Sequence, residues 1–449
     1  MALFVYTCLS YIVLPLGMLF HLLFIWRRAE FRSGFWQRYG WLPQKQHQPV
    51  IVHAASVGEL NAIAPLIKAI ISDLKLPVLV TTTSVTGQTR CQQLFVGYER
   101  VSWAYLPIDL GVANWLMLRR VKPRALLLVE TELWPNLIAT CARHNIPTIL
   151  VNGRLSAPSA KAYARLAWLV TPMLQKLTQL LVQDEATAQR FLGLGAPTSA
   201  VSVLGSLKYD LVIDHNEPDK ATLAVPKGLC WVCGSTRSGE EVSLLQAWAR
   251  LPPKLQGTLV LVPRHPQRFD EVADLCEQSG LPWLRYSQVN LPMNSEPSAH
   301  DEVDTSTDIS SDMRHKINAY KAHPRRILLV DAMGVILHFY RRADLVFVGG
   351  SLASTGGHNP LEAAALGKPL IMGPHCFNFT QVCEQLEQVN ALRVTTHGCL
   401  LDDVTELLTK PELRHSMGQA GAALVTAQKG ALTRHLSSIE ATLEQALNE

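Results

Sequence analysis

Residues 49–84, PVIVHAASVGELNAIAPLIKAIISDLKLPVLVTTTS, decide the fold. The two ends of this stretch, PVIVHAAS (49–56) and PVLVTTTS (77–84), are short apolar runs rich in valine and threonine, and a helix-like segment separates them. A helix between two such runs returns the chain to the edge it started from, so the runs pair in parallel. The unit then repeats outward through ALLLVETE (125–132), PTILVNGR (147–154) and LLVQDE (180–185). After DLVIDHNEPDKATLAVPKG (210–228), which has little periodicity, a second set begins. It consists of LCWVCGST (229–236), GTLVLVPRHP (257–266), RRILLVDAMG (325–334), DLVFVGGS (344–351) and KPLIMGP (368–374). Strands apolar on both faces belong to sheets covered by helices on both sides. The chain is therefore α/β, with two doubly wound parallel sheets, and 449 residues suit two such domains. The boundaries expected are 28–209 for the first domain, 210–228 for the linker and 229–449 for the second domain.

Two segments fall outside this scheme. Residues 2–26, ALFVYTCLSYIVLPLGMLFHLLFIW, contain no Lys, Arg, Asp or Glu. As a helix they would reach about 38 Å, more than the roughly 30 Å hydrocarbon core of a bilayer. Arg27, Arg28, Arg32 and Arg38 follow, interleaved with Trp26, Phe31, Phe35, Trp36, Tyr39 and Trp41. Residues 1–27 are thus expected to anchor the protein in a membrane, with the positive flank and both domains in the cytoplasm. Pro15, Gly17 and His21 leave a shallow in-plane anchor open as the other geometry. The second segment, VNLPMNSEPSAHDEVDTSTDISSDMRHK (289–316), is too polar to bury a core and is expected to be a flexible surface insertion.

Charge and cysteine content narrow the function. Residues 1–205 hold 19 Lys/Arg against 9 Asp/Glu, a balance of +10, so with +4 overall the rest carries −6. A basic first half suits an anionic partner, such as a phospholipid surface or a phosphorylated acceptor. No nucleic-acid module accompanies it, so a nucleic-acid partner is not expected. Nine scattered cysteines suit a reducing compartment. Cys230 and Cys233 form one C-x-x-C, but in a strand that spacing points the side chains to opposite faces. No metal and no cofactor are expected.

The unusual residues cluster at strand ends, where open α/β sheets bind ligands. HAASVGE (53–59) puts Gly58 at a strand-to-helix turn and Glu59 at the helix start; the helix dipole alone would favour an acid there. ETELWPN (130–136) places two carboxylates at a strand end. LGSLKYD (204–210) presents Lys208. PRHPQRF (263–269) presents Arg264, whose guanidinium can fork onto a phosphate. VGGSLASTGGHNPLEAAALGKP (348–369) is a glycine-rich loop running into a helix near Asn359 and Pro360, a candidate anion site.

This ordered set, above all SVGE, ETELWPN, LVPRHP and GGHNPLE with GKP, resembles the Kdo transferases, which attach 3-deoxy-D-manno-octulosonic acid to the lipid A precursor. The resemblance runs nearly the whole chain. It implies a GT-B fold of two Rossmann-like domains facing a cleft, with terminal helices packing back on the first domain. It implies CMP-Kdo as donor, lipid IVA as acceptor, an inverting reaction without a metal, and residence at the cell inner membrane. It further implies Glu59 as general base, with Glu130 and Lys208 supporting the transition state. CMP would lie against Pro263 and Arg264, against Met333, Gly334 and Val335, and against Asn359, Pro360, Leu361 and Glu362. Three positions depart from the family pattern. Val335 stands where an acid is expected, Arg237 where histidine is, and Gly153 where alanine is. Two other readings stay open: a GT-B enzyme using a UDP-sugar, and a non-catalytic GT-B scaffold.

Overall fold

A computed structural model describes residues 2–27, 32, 34–42, 48–210, 225–255, 257–289 and 311–448. Arg28, Phe31, residues 211–224 of the expected linker and residues 290–310 of the expected insertion lie outside the described residues. Two compact units emerge: residues 1–210 together with 428–449, and residues 211–427.

The first unit carries a seven-stranded sheet. Its strands are β1 (Val50–His53), β2 (Val78–Thr82), β3 (Val101–Tyr105), β4 (Ala125–Val129), β5 (Thr148–Gly153), β6 (Gln179–Val182) and β7 (Val201–Val203). All pairings are parallel, in the order β3-β2-β1-β4-β5-β6-β7. Alternate residues feed two cores, as the pleat requires. Ile51, Leu79, Leu126, Leu128 and Leu150 enter one. Val50, Val52, Val80, Leu127 and Val151 enter the other, which the C-terminal helix Ala431–Asn448 closes with Ile439 and Leu443. Asp210 accepts the backbone N–H groups of Gly430 and Leu432 at 2.6 Å each, capping that helix. The sheet order reverses between β1 and β4, so the loops after these strands border the ligand crevice of this unit.

The second unit repeats the plan with β8 (Leu229–Thr236), β9 (Gly257–Pro263), β10 (Trp283–Arg285), β11 (Arg325–Leu329), β12 (Leu345–Val348), β13 (Leu370–Met372) and β14 (Leu392–Val394). The order is β10-β11-β9-β8-β12-β13-β14, again all parallel. The switch point lies between β8 and β12. Trp231 and Cys233 point into one core, against Leu244, Trp248 and Phe347. Cys230 lies on the other face; both thiols are free and buried.

Three expectations change. The helix Ser311–Ala322 occupies the last six residues of the stretch read as an insertion. The three strands β3, β10 and β14 were not anticipated; two of them are three residues long and carry no readable period. The N-terminal residues do form a helix, Ala2–Arg27, with Pro15 inside it. Yet among the described residues no helix is long and apolar enough to cross a membrane. On this helix Tyr6 donates to Asp109 at 3.1 Å and Thr7 to Asn136 at 2.6 Å, so one flank is tied to the first unit. The same helix exposes Phe4, Leu9, Ile12, Val13 and Leu16.

Candidate active site

In the first unit, β1 delivers His53 and then the turn that starts the helix Val57–Ser72. Ser56 caps that helix, its Oγ accepting from the Glu59 N–H at 3.2 Å. The Glu59 carboxylate reaches back, accepting the Ser56 hydroxyl at 2.8 Å and the Ala55 N–H at 2.9 Å. This Ser-x-x-Glu exchange is a variant of the capping box in which the carboxylate takes the Ala55 N–H, so Glu59 does help start the helix. Gly58 lies inside the first turn, not before it, and a Cβ there would meet only the Ser56 hydroxyl, at 3.8 Å.

β4 ends against the same crevice. Glu130 follows it in the left-handed region, φ +56°, a strained setting for a side chain with a Cβ and common at functional positions. Its Oε1 pairs with Lys208 Nζ at 3.1 Å, and its Oε2 lies 4.0 Å from Arg154 Nε. Glu132 takes the Trp134 indole N–H at 3.1 Å and sits 3.4 Å from His53 Nε2. Lys208 is set by its own turn. Buried Asn152, also left-handed, accepts the Leu207 N–H at 3.0 Å. Asn152 in turn donates its N–H to His435 Nε2 at 3.2 Å, while His435 Nδ1 donates to Ala431. The C-terminal helix thus holds the turn that aims Lys208.

The expected trio of Glu59, Glu130 and Lys208 therefore meets in one place, joined by Glu132, His53 and Arg154. The three acids are not equivalent. Glu130 has a lysine, and Glu132 has an imidazole and an indole. Glu59 has only a hydroxyl and a backbone N–H, and among the described residues no cation pairs with it. Burial pushes its carboxyl above the usual range, and the charges on Glu130 and Glu132 add to this against the two hydrogen bonds. A carboxylate held so is a better proton acceptor than an ordinary one.

In the second unit the strand ends collect the other expected residues on one edge. Pro263 ends β9; Arg264 follows, exposed, its N–H on Thr236 O at 3.1 Å. Met333, Gly334 and Val335 follow β11, with Met333 exposed and Gly334 left-handed. Asn359 and Pro360 lead into the helix Leu361–Ala365, and Asn359 Oδ1 caps Leu361 N–H at 3.1 Å. Burial raises the Glu362 carboxyl, with Asn359 and Arg264 opposing.

The anion site expected in the glycine-rich loop is already filled from within the chain. The fully buried Glu240 carboxylate accepts the N–H groups of Gly350, Ser351, Leu352 and Ala353 at 2.8–3.2 Å, and that of Arg237 at 2.8 Å. The helix beyond the loop is only five residues long and supplies little dipole. Close approach explains the glycine: a Cβ on Gly349 would stand 2.5 Å from Ser235 O. Glu241, also fully buried, grips Arg268 with both oxygens, at 2.7 and 3.1 Å. Both acids were legible only as a Gly-Glu-Glu string at a helix start. Among the described residues, no group of three or more His, Cys, Asp or Glu could hold a metal ion.

A family model described as 3-deoxy-D-manno-octulosonic-acid transferase (kdotransferase) matches residues 33–211. A 3-deoxy-D-manno-octulosonic acid transferase of Haemophilus influenzae is 32% identical over 98% of this chain and 99% of its own. One from Bordetella pertussis is 34% identical over 93% of this chain and 95% of its own. Among solved structures, MurG of Acinetobacter baumannii aligns with TM-score 0.52 and 12% identity, covering 88% of this chain and 100% of that one. That likeness identifies the two parallel α/β units as a GT-B fold.

Proposed function

Because the chain belongs to the Kdo transferase family of glycosyltransferases, we propose that it moves Kdo from CMP-Kdo onto the lipid A precursor, lipid IVA, with inversion and with Glu59 as general base. The observation that carries this reading is the Glu59 carboxylate. It is half-buried, unpaired by any described cation, and set beside the Glu130–Lys208 pair. An acceptor hydroxyl placed against Glu59 gives up its proton as its oxygen bonds to the Kdo anomeric carbon. The bond from that carbon to the phosphate oxygen breaks, and the electron pair leaves with CMP. Arg264 meets the phosphate charge, which in this reading removes the need for a metal. The lysine of the Glu130–Lys208 pair supports charge developing at the reacting centre. Pro263, Met333 to Val335 and Asn359 to Glu362 supply the remaining wall for CMP.

The reading extends to location. The helix Ala2–Arg27 anchors the enzyme at the cytoplasmic face of the inner membrane. Its exposed apolar side chains Phe4, Leu9, Ile12, Val13 and Leu16, in a half of the chain that carries +10, support this. The test is incubation of the full-length protein with CMP-Kdo and lipid IVA, followed by mass spectrometry of the lipid. A product heavier by one or more Kdo residues is expected, with inhibition by CMP and none by UDP. Transfer from a UDP-sugar instead, or CMP binding without any transfer, would overturn the assignment.

A further inference from the structure

Arg237 stands where the family resemblance calls for histidine, and two imidazoles hold its guanidinium. β8 and β9 run in parallel register until Gly234, where the ladder slips so that Thr236 faces Pro263. Ser235 at the slip is left-handed, φ +57°. Irregularities of this kind re-aim the side chains that follow them. The residues leaving the two strands at the same level are Arg237 and Arg264, each next to one member of the Thr236–Pro263 pair. The two positive charges act on each other, each guanidinium being within electrostatic reach of the other.

Nothing described neutralises either of them by contact. Arg268, one turn away, is held by both Glu241 and Glu271. Arg237 instead donates to two imidazoles, from Nε to His358 Nε2 at 3.2 Å and from Nη1 to His265 Nε2 at 2.5 Å. Both rings stay neutral, because burial and the surrounding arginines lower their pKa, that of His358 to about 4. The nearest acid that acts on Arg237, Glu240, has both oxygens engaged by five backbone N–H groups. Two adjacent guanidiniums thus stand, that of Arg237 held by two neutral rings and that of Arg264 exposed, without a carboxylate within 4 Å among the described residues.

We propose that Arg237 binds the carboxylate of the donor sugar while the neighbouring Arg264 binds the donor phosphate. This rests on CMP-Kdo being the donor. An ulosonic acid in that linkage carries its carboxylate and its phosphate oxygen on one carbon, so it presents two anions side by side. A pair of forked cations leaving adjacent strands at one level matches that arrangement, and guanidinium suits both groups. The usual hexose donors have no carboxylate at this place, so Arg237 also sets specificity. The two histidines fix the guanidinium plane without cancelling its charge.

The test uses the full-length chain and compares two ligands, CMP-Kdo and CMP, which differ by the sugar and its carboxylate. In Arg237→Gln, KM for CMP-Kdo is expected to rise roughly ten- to a hundredfold while the calorimetric Kd for CMP stays within about twofold. Arg264→Gln should weaken both ligands, and Arg237→Lys should recover part of the lost donor affinity. The side chain of Arg237 takes no part in the Glu240 contacts, which use its backbone, so the variant keeps the loop. An equal loss for CMP would make Arg237 a phosphate ligand and overturn the proposal. So would an unchanged KM, which would leave Arg237 as packing for the two rings. In either case wild-type turnover persists. Absence of wild-type turnover with CMP-Kdo would instead overturn the functional reading, and this proposal with it.

Discussion

Replacing Glu240 by glutamine tests the internal anion that organises the glycine-rich loop. Oε1 of Glu240 accepts three N–H groups, from Ser351, Leu352 and Ala353, and Oε2 accepts two, from Gly350 and Arg237. A glutamine of the same shape has one oxygen and one NH2. Whichever way the amide turns, two or more backbone N–H donors face another donor. Each buried N–H left without a partner costs about 1–3 kcal/mol, so the minimum of two gives roughly 2–6 kcal/mol. The other hydrogen bonds also lose the strength that charge gave them. For a unit of this size 1 kcal/mol moves the midpoint by about 2–4 °C, so Glu240→Gln should lower the melting of the second unit by roughly 4–24 °C. Calorimetric unfolding of the full-length chain reads this directly, and CMP binding should weaken as the loop loosens. If Glu240→Gln melted within a degree of the wild type, the carboxylate would not be organising the loop, and the loop N–H groups would again be available to a ligand.

Glu59→Gln keeps the shape of the capping box, so stability should fall by no more than about 0.3–1 kcal/mol, while turnover falls about 10²–10⁴-fold with CMP binding intact. A normal rate with a slightly lower melting temperature would leave Glu59 as a helix cap only. In the wild type, the acid limb of the kcat/KM profile should lie above the ordinary carboxylate range, since burial raises this carboxyl; a midpoint at or below that range would remove Glu59 as the titrating base. Arg264→Ala should weaken CMP binding roughly ten- to a hundredfold, read by calorimetry. The first unit should lose stability on acidification. Burial holds His435 below its ordinary pKa, so the unfolded chain takes up the proton first and stability drops as pH falls below about 6.5. Replacing His435 by glutamine should flatten that decline, and an unchanged slope would mean that other groups set it.

The fold was legible because the central strands of both sheets carry apolar residues on both faces. Runs such as Val50–Val52, Ala125–Val129 and Leu345–Val348 have no polar side to confuse their reading. The edges were not legible for the same physical reason in reverse. β10 and β14 have three residues each, and their pairing comes from the strand beside them rather than from any pattern of their own. β3, VSWAY, was missed although its residues are mostly buried, because Ser102 and the half-buried Trp103 interrupt the run.

The site was legible where function needs a strand end, and opaque where it needs a partner distant in sequence. Glu59, Glu130, Lys208 and Arg264 all follow strands, and that placement singled them out before the family resemblance implied their roles. His435 and Asn152 could not be marked, since they meet across 283 positions and matter only through the turn that carries Lys208. The glycine-rich loop shows the sharper limit. Its sequence signals exposed backbone N–H groups, and the structure does gather them, but around Glu240. A sequence shows that donors will be aimed at an anion without showing whose anion it is. Once the chain supplies that charge itself, the loop N–H groups are taken, and in the proposed reading an outside anion falls to Arg237 and Arg264, which have no ion-pair partner within 4 Å among the described residues.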